Sequence, residues 1–276
     1  MLDDVISATI SVMVALAVAI PLAPALRRHP APFYLAAALA VAVYAWQRFS
    51  GGYVVGTNWF IDMIQKAYLS CAFLAIVMFV GVMPETSALR RRLQPVRGEL
   101  SIVSFILMTG HAAAFLPAYL PRLRQVFASH LGLSASIVVA VLLAAIFALL
   151  AVTSLRAIRS RMPHGAWKAI QRLSYLMVAL LYAHILLALG RTALASRASS
   201  AVRLAIVVYT ALLAAYAVLR VRKALRDRDR RRALAAEAQG SAGEASASGA
   251  TGATDATDAA DRTGAAGASG LGRREG

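Results

Sequence analysis

The sequence predicts an all-α fold, a polytopic integral membrane helical bundle of about seven transmembrane helices with the N-terminus outside and the C-terminus in the cytoplasm. Of its 276 residues, 59% are hydrophobic and 15% are charged, whereas soluble domains carry about one half and about one quarter. Several apolar stretches reach the length of about 20 residues that crosses a bilayer. Basic residues also alternate between successive connections. These observations exclude the water-soluble enzyme classes and predict a multi-pass protein of the cell membrane.

Seven apolar stretches account for the predicted helices, and none has an acidic residue in its interior. They are residues 5–26, 32–47, 65–83, 100–120, 133–154, 169–189 and 202–221. Each is dominated by Ala, Leu, Val and Ile, as expected of segments that face lipid or one another. The second stretch is the shortest of the seven.

The orientation follows from the connections, because short cytoplasmic loops accumulate Lys and Arg. The odd-numbered connections hold most of the basic residues: Arg27, Arg28, Arg90, Arg91, Arg92, Arg97, Arg156, Arg159, Arg161 and Lys168. A further basic cluster at 220–232 follows the last stretch. All of these positions lie on one side only if there are seven spans and the C-terminus is cytoplasmic.

The net charge of +16 is explained by this topology, so we predict the lipid bilayer as a partner and no nucleic acid. The chain divides into N-terminal helices with an outer connection (1–64), a core bundle (65–221) and a basic juxtamembrane segment (222–237). Residues 238–276 are rich in Ala, Gly, Ser, Thr and Asp, a composition typical of disordered tails. Neither of the common nucleotide-binding glycine motifs occurs, which predicts that electrons would come from a partner or a membrane carrier.

Two histidines lie where a bilayer disfavours ionisable groups, and such residues indicate function by default. His111 is near the middle of the fourth stretch and His184 is in the outer half of the sixth. At 1.5 Å per residue, each is within about 8–13 Å of the outer end of its helix. Two facing imidazoles suit a six-coordinate haem iron, and Arg191 is placed to pair with a haem propionate. The alternative is that each histidine hydrogen-bonds a neighbour and simply packs.

The remaining polar candidates have simpler interpretations. His29, His130 and His164 lie in or beside connections, and the single cysteine, Cys71, excludes an intrachain disulfide or a cysteine-ligated metal centre. Asp62 and Lys66 are spaced for an i,i+4 ion pair. An aromatic cluster around the first outer connection indicates an interfacial belt, with a quinone pocket as the alternative: Tyr44, Trp46, Phe49, Tyr53, Trp59 and Phe60.

One motif resembles a known family. Thr153-Ser154 is followed by Trp167-Lys-Ala-Ile-Gln171-Arg-Leu-Ser-Tyr175 and, eight residues later, by His184. This pattern resembles the ferric-reductase-like transmembrane domain superfamily, and within it the haem-binding membrane subunits of the MsrQ type. The family pattern has a histidine where this chain has Gln171. Gly98, thirteen residues before His111, offers no side chain for an inner site.

The resemblance implies a b-type cytochrome-like electron-transfer subunit of a reductase, holding one haem b near the outer leaflet through His111 and His184. Such a membrane oxidoreductase subunit would depend on a redox partner protein or a quinone for its electrons. The alternative is a non-redox scaffold or small transporter that keeps the fold without haem, since the inner ligand is missing.

Overall fold

The computed structural model describes residues 2–51, 56–129, 131–195 and 200–265, and in these ranges the regular structure is helical. The first half contains α1 Leu2–Ala19, α2 Ala23–Arg28, α3 Ala31–Phe49, α4 Asn58–Gln65, α5 Tyr68–Val82, α6 Ala88–Leu93 and α7 Arg97–Tyr119. The second half contains α8 Leu123–Ser129, α9 Leu131–Ser154, α10 Arg156–Arg159, α11 His164–Gln171, α12 Leu173–Leu194 and α13 Ser200–Ala265. Short 3₁₀ turns, Gln94–Val96 and Leu120–Arg122, precede α7 and α8.

Helices are present at all seven predicted segments, although fewer meet the requirements of a membrane span. By length and composition, four helical stretches in the described ranges can cross a membrane: Ala88–Ala128, Gly132–Ser154, His164–Gly190 and Ser200–Gln239. A fifth is added if α4 and α5, which meet at 51°, form one broken span. The protein is therefore an all-helical membrane bundle with four to five candidate spans. The count of seven and the orientation of the termini stay predictions.

Two hydrophobic clusters make up the core of the described ranges, and α7 contributes to both. One buries residues of α1 to α6 together with the first half of α7. The other is formed by α9 and α12 with parts of α5 and α13, and Phe105 and Met108 of α7 pack against it. The helix that carries His111 therefore lies between the two halves of the bundle.

Small polar side chains allow α5 and α7 to approach closely. The hydroxyl of Ser70 donates to the Ser104 carbonyl at 2.8 Å, and the hydroxyl of Ser104 donates to the Ser70 carbonyl at 2.8 Å. Both serines are buried. Reciprocal bonds between small residues are a common way to hold membrane helices together, and here they fix α7 against α5.

An ion pair joins α7 to α10 at the end of α7 that the sequence predicts to be cytoplasmic. Arg156 Nε donates to Glu99 Oε1 at 2.7 Å, and Arg156 also donates to the carbonyl of Arg27 at 2.5 Å. The Glu99 side chain is 8% exposed, whereas that of Arg156 is 53% exposed. Arg156 therefore neutralises a buried carboxylate that the composition of the spans did not predict.

Replacing Arg156 by methionine is expected to destabilise the protein, because Glu99 would keep a buried charge without this partner. Since Arg156 is half exposed, we expect a loss of about 1–2 kcal/mol, below the 3–5 kcal/mol of a fully buried pair. Thermal unfolding in detergent measures the change. The exposed Arg161→Met serves as the control, and equal melting of both variants would contradict a role for the ion pair.

The last helix extends to Ala265, into the segment that composition predicts to be disordered. Residues 233–239 are Ala, Leu, Glu and Gln, which are strong helix formers, so local propensity favours continuation of the helix there. The side chains from residue 240 onward lie outside the description. The disordered tail over 238–276 and the other domain boundaries stay predictions.

Candidate functional site

The structure brings His111 of α7 and His184 of α12 together. The centres of the two imidazole rings are 6.5 Å apart, and the ring planes are nearly perpendicular, at 88°. Each side chain is half-buried. α12 packs chiefly against α9, whereas α7 packs chiefly against α3 and α5. The two rings thus lie edge to face between helices whose main packing partners are elsewhere.

His111 is held by a backbone carbonyl. Its Nδ1 lies 2.6 Å from the carbonyl oxygen of Gln65, the last residue of α4. A carbonyl oxygen only accepts hydrogen bonds, so Nδ1 carries the proton and donates it. The neutral ring then has its lone pair on Nε2, the nitrogen left for a metal or another donor.

Gly110 allows this contact by bringing α7 close to α4. A Cβ atom at position 110 would lie 2.5 Å from Cγ2 of Ile64 and 3.4 Å from Cγ2 of Val41. No side chain can occupy that space unless the neighbours move. Ile64 directly precedes Gln65, so the absence of a side chain at Gly110 permits the approach that the Gln65 carbonyl makes to His111.

His184 presents the opposite situation. Its Nδ1 is buried and has no hydrogen-bond partner in the described part of the chain, although the backbone of Ser136 is within hydrogen-bonding reach of the imidazole. A buried polar atom without a partner is costly. Such an atom is a reason to expect that an additional group occupies the neighbourhood of His184.

The donor set suits haem better than a bare metal ion. In the described part of the chain, no group of three or more His, Cys, Asp or Glu side chains is arranged to hold a metal ion. A porphyrin supplies four nitrogen ligands itself, so the protein needs to provide only one or two more. Two imidazoles within the membrane-spanning helices fit that requirement, whereas they leave a free transition-metal ion short of ligands.

Two other predicted positions are not tested by this geometry. The side chain of Arg191 and the whole of His130 lie outside the described residues. Pairing of Arg191 with a haem propionate therefore stays a prediction.

The motif around Gln171 is assembled at the junction of α9 and α11. Trp167 Nε1 donates to the carbonyl of Thr153 at 3.2 Å, and Gln171 Nε2 donates to the Thr153 hydroxyl at 3.3 Å. On the other side, a Cβ on Gly98 would lie 3.6 Å from Ser154. Gln171 thus binds a hydroxyl in the place where the family pattern has a histidine, and the Thr-Ser pair packs close to Gly98.

Two further features were partly accessible to sequence reasoning. The predicted pair of Asp62 and Lys66 is confirmed at 2.9 Å. The second acidic partner of Lys66, Asp4 at 2.6 Å, is 62 residues away, and no local sequence pattern indicates it.

Cys71 contacts Tyr209 through its side chain. Both line an apolar cavity of about 460 Å³ between α1, α5 and α13 that includes neither His111 nor His184.

The site residues that sequence reasoning missed are Gln65 and Gly110. Gln65 acts through its backbone, which its residue type does not reveal. Gly110 directly precedes His111, and this adjacency was the available signal.

These features define a class of protein, a multi-pass helical membrane protein with a pair of imidazoles between its helices. Residues 66–182 match the family described as ferric reductase like transmembrane component. Over that range the chain resembles the ferric-reductase-like transmembrane superfamily. The matched range includes His111 and the motif from Thr153 to Tyr175, and it ends two residues before His184.

A curated protein is similar to most of the chain, and its description indicates no activity. It is an uncharacterized protein of Treponema pallidum (strain Nichols), 34% identical over 220 residues, which cover 77% of this chain and 59% of that protein. This chain therefore spans about three fifths of the length of the curated relative that it matches. No solved structure matches the chain.

Proposed function

We propose that this protein is a b-type cytochrome that relays electrons as the membrane subunit of a reductase, with one haem held by His111 and His184. The observation that carries the proposal is the pair of adjacent imidazole rings, whose centres are 6.5 Å apart and whose planes are nearly perpendicular. At this separation His111 and His184 would together hold one haem iron, since a metal ion lies about 2 Å from an imidazole nitrogen that binds it.

The hydrogen-bonding state of the two histidines supports the same conclusion. The Gln65 carbonyl takes the Nδ1 proton of His111, and metal-bound histidines almost always donate their second ring nitrogen in this way. The buried Nδ1 of His184 lacks a partner among the described residues. His111 is therefore an oriented candidate ligand, and His184 is a candidate ligand with a ring nitrogen that has no partner among the described residues.

When bound, the haem iron supplies one-electron transfer. His111 and His184 would hold it as neutral imidazoles, and the chain would supply apolar helix surfaces around it and the orientation of His111. Phe115, one turn beyond His111 with its ring centre 5.0 Å away, contributes to the exclusion of water. By family resemblance, the subunit is of the MsrQ type and passes electrons toward an outer acceptor, drawing them from a redox partner protein or a membrane quinone.

The visible spectrum of the purified full chain tests the proposal. Protein from haem-replete cells should show a dithionite-reduced b-type spectrum and contain one haem per polypeptide, measured as the pyridine haemochrome. Colourless protein would overturn the proposal. That result would favour a scaffold or transporter that keeps the ferric-reductase-like fold, an alternative supported by the hydrogen bond that Gln171 makes to Thr153 in place of a ligand.

Replacing Gln171 by histidine is expected to leave the content at one haem per polypeptide. The substitution provides an imidazole near Thr153, but the neighbouring position on α7 is Gly98, which provides no second ligand. Haem and protein are quantified in parallel on wild type and variant. A ratio of two would show that the inner site needed only this one residue.

A further inference from the structure

The break between α4 and α5 lies beside the candidate site and has a conformation that this sequence does not favour. Ala67 has a φ of +58°, in the left-handed region, which is unfavourable for a residue with a Cβ atom. Ala67 is also buried, at 6% exposure. A residue held in this conformation within a packed bundle indicates that surrounding contacts maintain the break.

The break releases a backbone carbonyl. Carbonyl groups in the last turn of a helix lack the donor four residues further on. Gln65 is the last residue of α4, and its carbonyl accepts the proton of His111 at 2.6 Å. The interruption of the helix is thus what allows the chain to present an acceptor to His111.

Lys66 fixes the peptide group that contains this carbonyl. Its backbone N–H, on the same peptide plane, donates to the Asp62 carbonyl at 3.0 Å. Its ammonium group donates to Asp62 Oδ2 at 2.9 Å and to Asp4 Oδ1 at 2.6 Å. Lys66 therefore ties the end of α4 both to its own preceding turn and to α1.

The contact with α1 is reinforced on the side of Asp4. The hydrogen bond from Lys66 holds the pKa of Asp4 below its ordinary value of 3.8, so this carboxylate is ionised at neutral pH. The hydroxyl of Tyr68 lies 3.4 Å from the same Asp4 oxygen. The residues on both sides of the break, Lys66 and Tyr68, are thus anchored to one residue of α1.

We propose that Lys66 is a positioning residue for His111, acting through the Gln65 carbonyl. This inference rests on the proposed function and names the device that orients one of its two ligands. A hydrogen bond from the second ring nitrogen to a carbonyl fixes the tautomer and raises the basicity of a metal-bound imidazole. Lys66 holds that carbonyl in place through two contacts with Asp62 and one with Asp4.

Haem loss from the full-length, haem-loaded protein tests this role. Lys66→Met removes the ammonium group and keeps an apolar stem of similar length, whereas Lys66→Arg keeps a cation that can reach both carboxylates. We expect Lys66→Met to transfer haem to excess apomyoglobin about tenfold faster than wild type, and Lys66→Arg to stay within about twofold of it. Lys168→Met, which removes an exposed cation of α11, serves as the matched control.

The reduction potential distinguishes positioning from a simple charge effect. A weaker hydrogen bond to His111 makes the imidazole less basic, which disfavours the ferric state and shifts the potential upward. Loss of a positive charge by itself favours the ferric state and shifts the potential downward. The proposal is supported if the reduction potential of Lys66→Met lies above that of wild type while the potential of Lys66→Arg equals that of wild type. A lower or unchanged potential in Lys66→Met overturns it.

A second variant covers the case in which Lys66→Met fails to accumulate. Asp4→Ala removes the hydrogen bond between α1 and Lys66 and leaves the pair of Lys66 and Asp62, so it should speed haem loss by a smaller factor. Unchanged haem loss in this variant would then overturn the inference. If the variants bind haem and lose it at the wild-type rate, only the role of Lys66 is overturned. If the wild-type protein itself contains no haem, the proposed function is overturned as well.

Discussion

Replacing either His111 or His184 by alanine is expected to reduce haem content to a small fraction of one per polypeptide. Each substitution removes one axial ligand, and the remaining imidazole and apolar contacts hold a non-covalent haem far less tightly. His111→Ala also leaves the Gln65 carbonyl without its donor. Haem per polypeptide is measured on protein purified from haem-replete cells, and the dithionite-reduced spectrum reports the ligation of any haem retained.

The control for this pair of substitutions is His164→Ala. His164 is exposed at the start of α11, where its ring lies beside Trp167, so its loss should leave haem content unchanged. Imidazole added to His184→Ala should restore part of the low-spin spectrum by entering the space that the side chain left. Equal haem content in all three variants would refute the ligand assignment.

The second large effect is expected at Gly110. Gly110→Ala places a methyl group 2.5 Å from Cγ2 of Ile64, and overpacking of this kind costs about 1–3 kcal/mol. The strain is relieved by moving α7 away from α4, which lengthens the bond between His111 and Gln65. We therefore expect both a lower melting temperature in detergent and faster loss of haem.

Gly190→Ala provides the matched comparison for Gly110→Ala. Gly190 lies within α12, and a Cβ there meets nothing within 4 Å, so alanine should be neutral or stabilising by up to about 1 kcal/mol through helix propensity. The two variants make the same chemical change in a helix and differ in the space available. If Gly110→Ala melts and retains haem like Gly190→Ala, then the close approach of α7 to α4 does not matter for the site.

The parts of the fold that sequence predicted well are those governed by local composition. Long apolar stretches form helices in a bilayer because their backbone groups must be satisfied within the segment, and helices occupy all seven predicted segments. Within the described residues, the number of helices that can span a membrane is four to five by length and composition, because those criteria require both a long helix and a strongly apolar one. The pair of Asp62 and Lys66 was also predictable, since four residues on a helix bring side chains together.

Some features of the candidate site could likewise be predicted from local sequence, and others depend on tertiary packing. His111 and His184 could be selected from the sequence because an imidazole in an apolar span is conspicuous, and the motif from Thr153 to Tyr175 pointed to the superfamily. The hydrogen bond from Gln171 to Thr153, 18 residues apart, depends on how α11 folds back on α9. No local pattern specifies that contact.

By itself, the sequence determined that this is a helical membrane protein with a segment that resembles the ferric-reductase-like superfamily, because span length, apolar composition and a short motif are local properties. Only the tertiary structure decided that the two imidazoles lie side by side, that a carbonyl at a helix break orients one of them, and that Asp4 joins Lys66 across 62 residues. The reason is physical: a backbone carbonyl has the same chemistry at every residue. Its role depends on where packing of α4 against α7 leaves it, and Gly110 and Ile64 set that distance together.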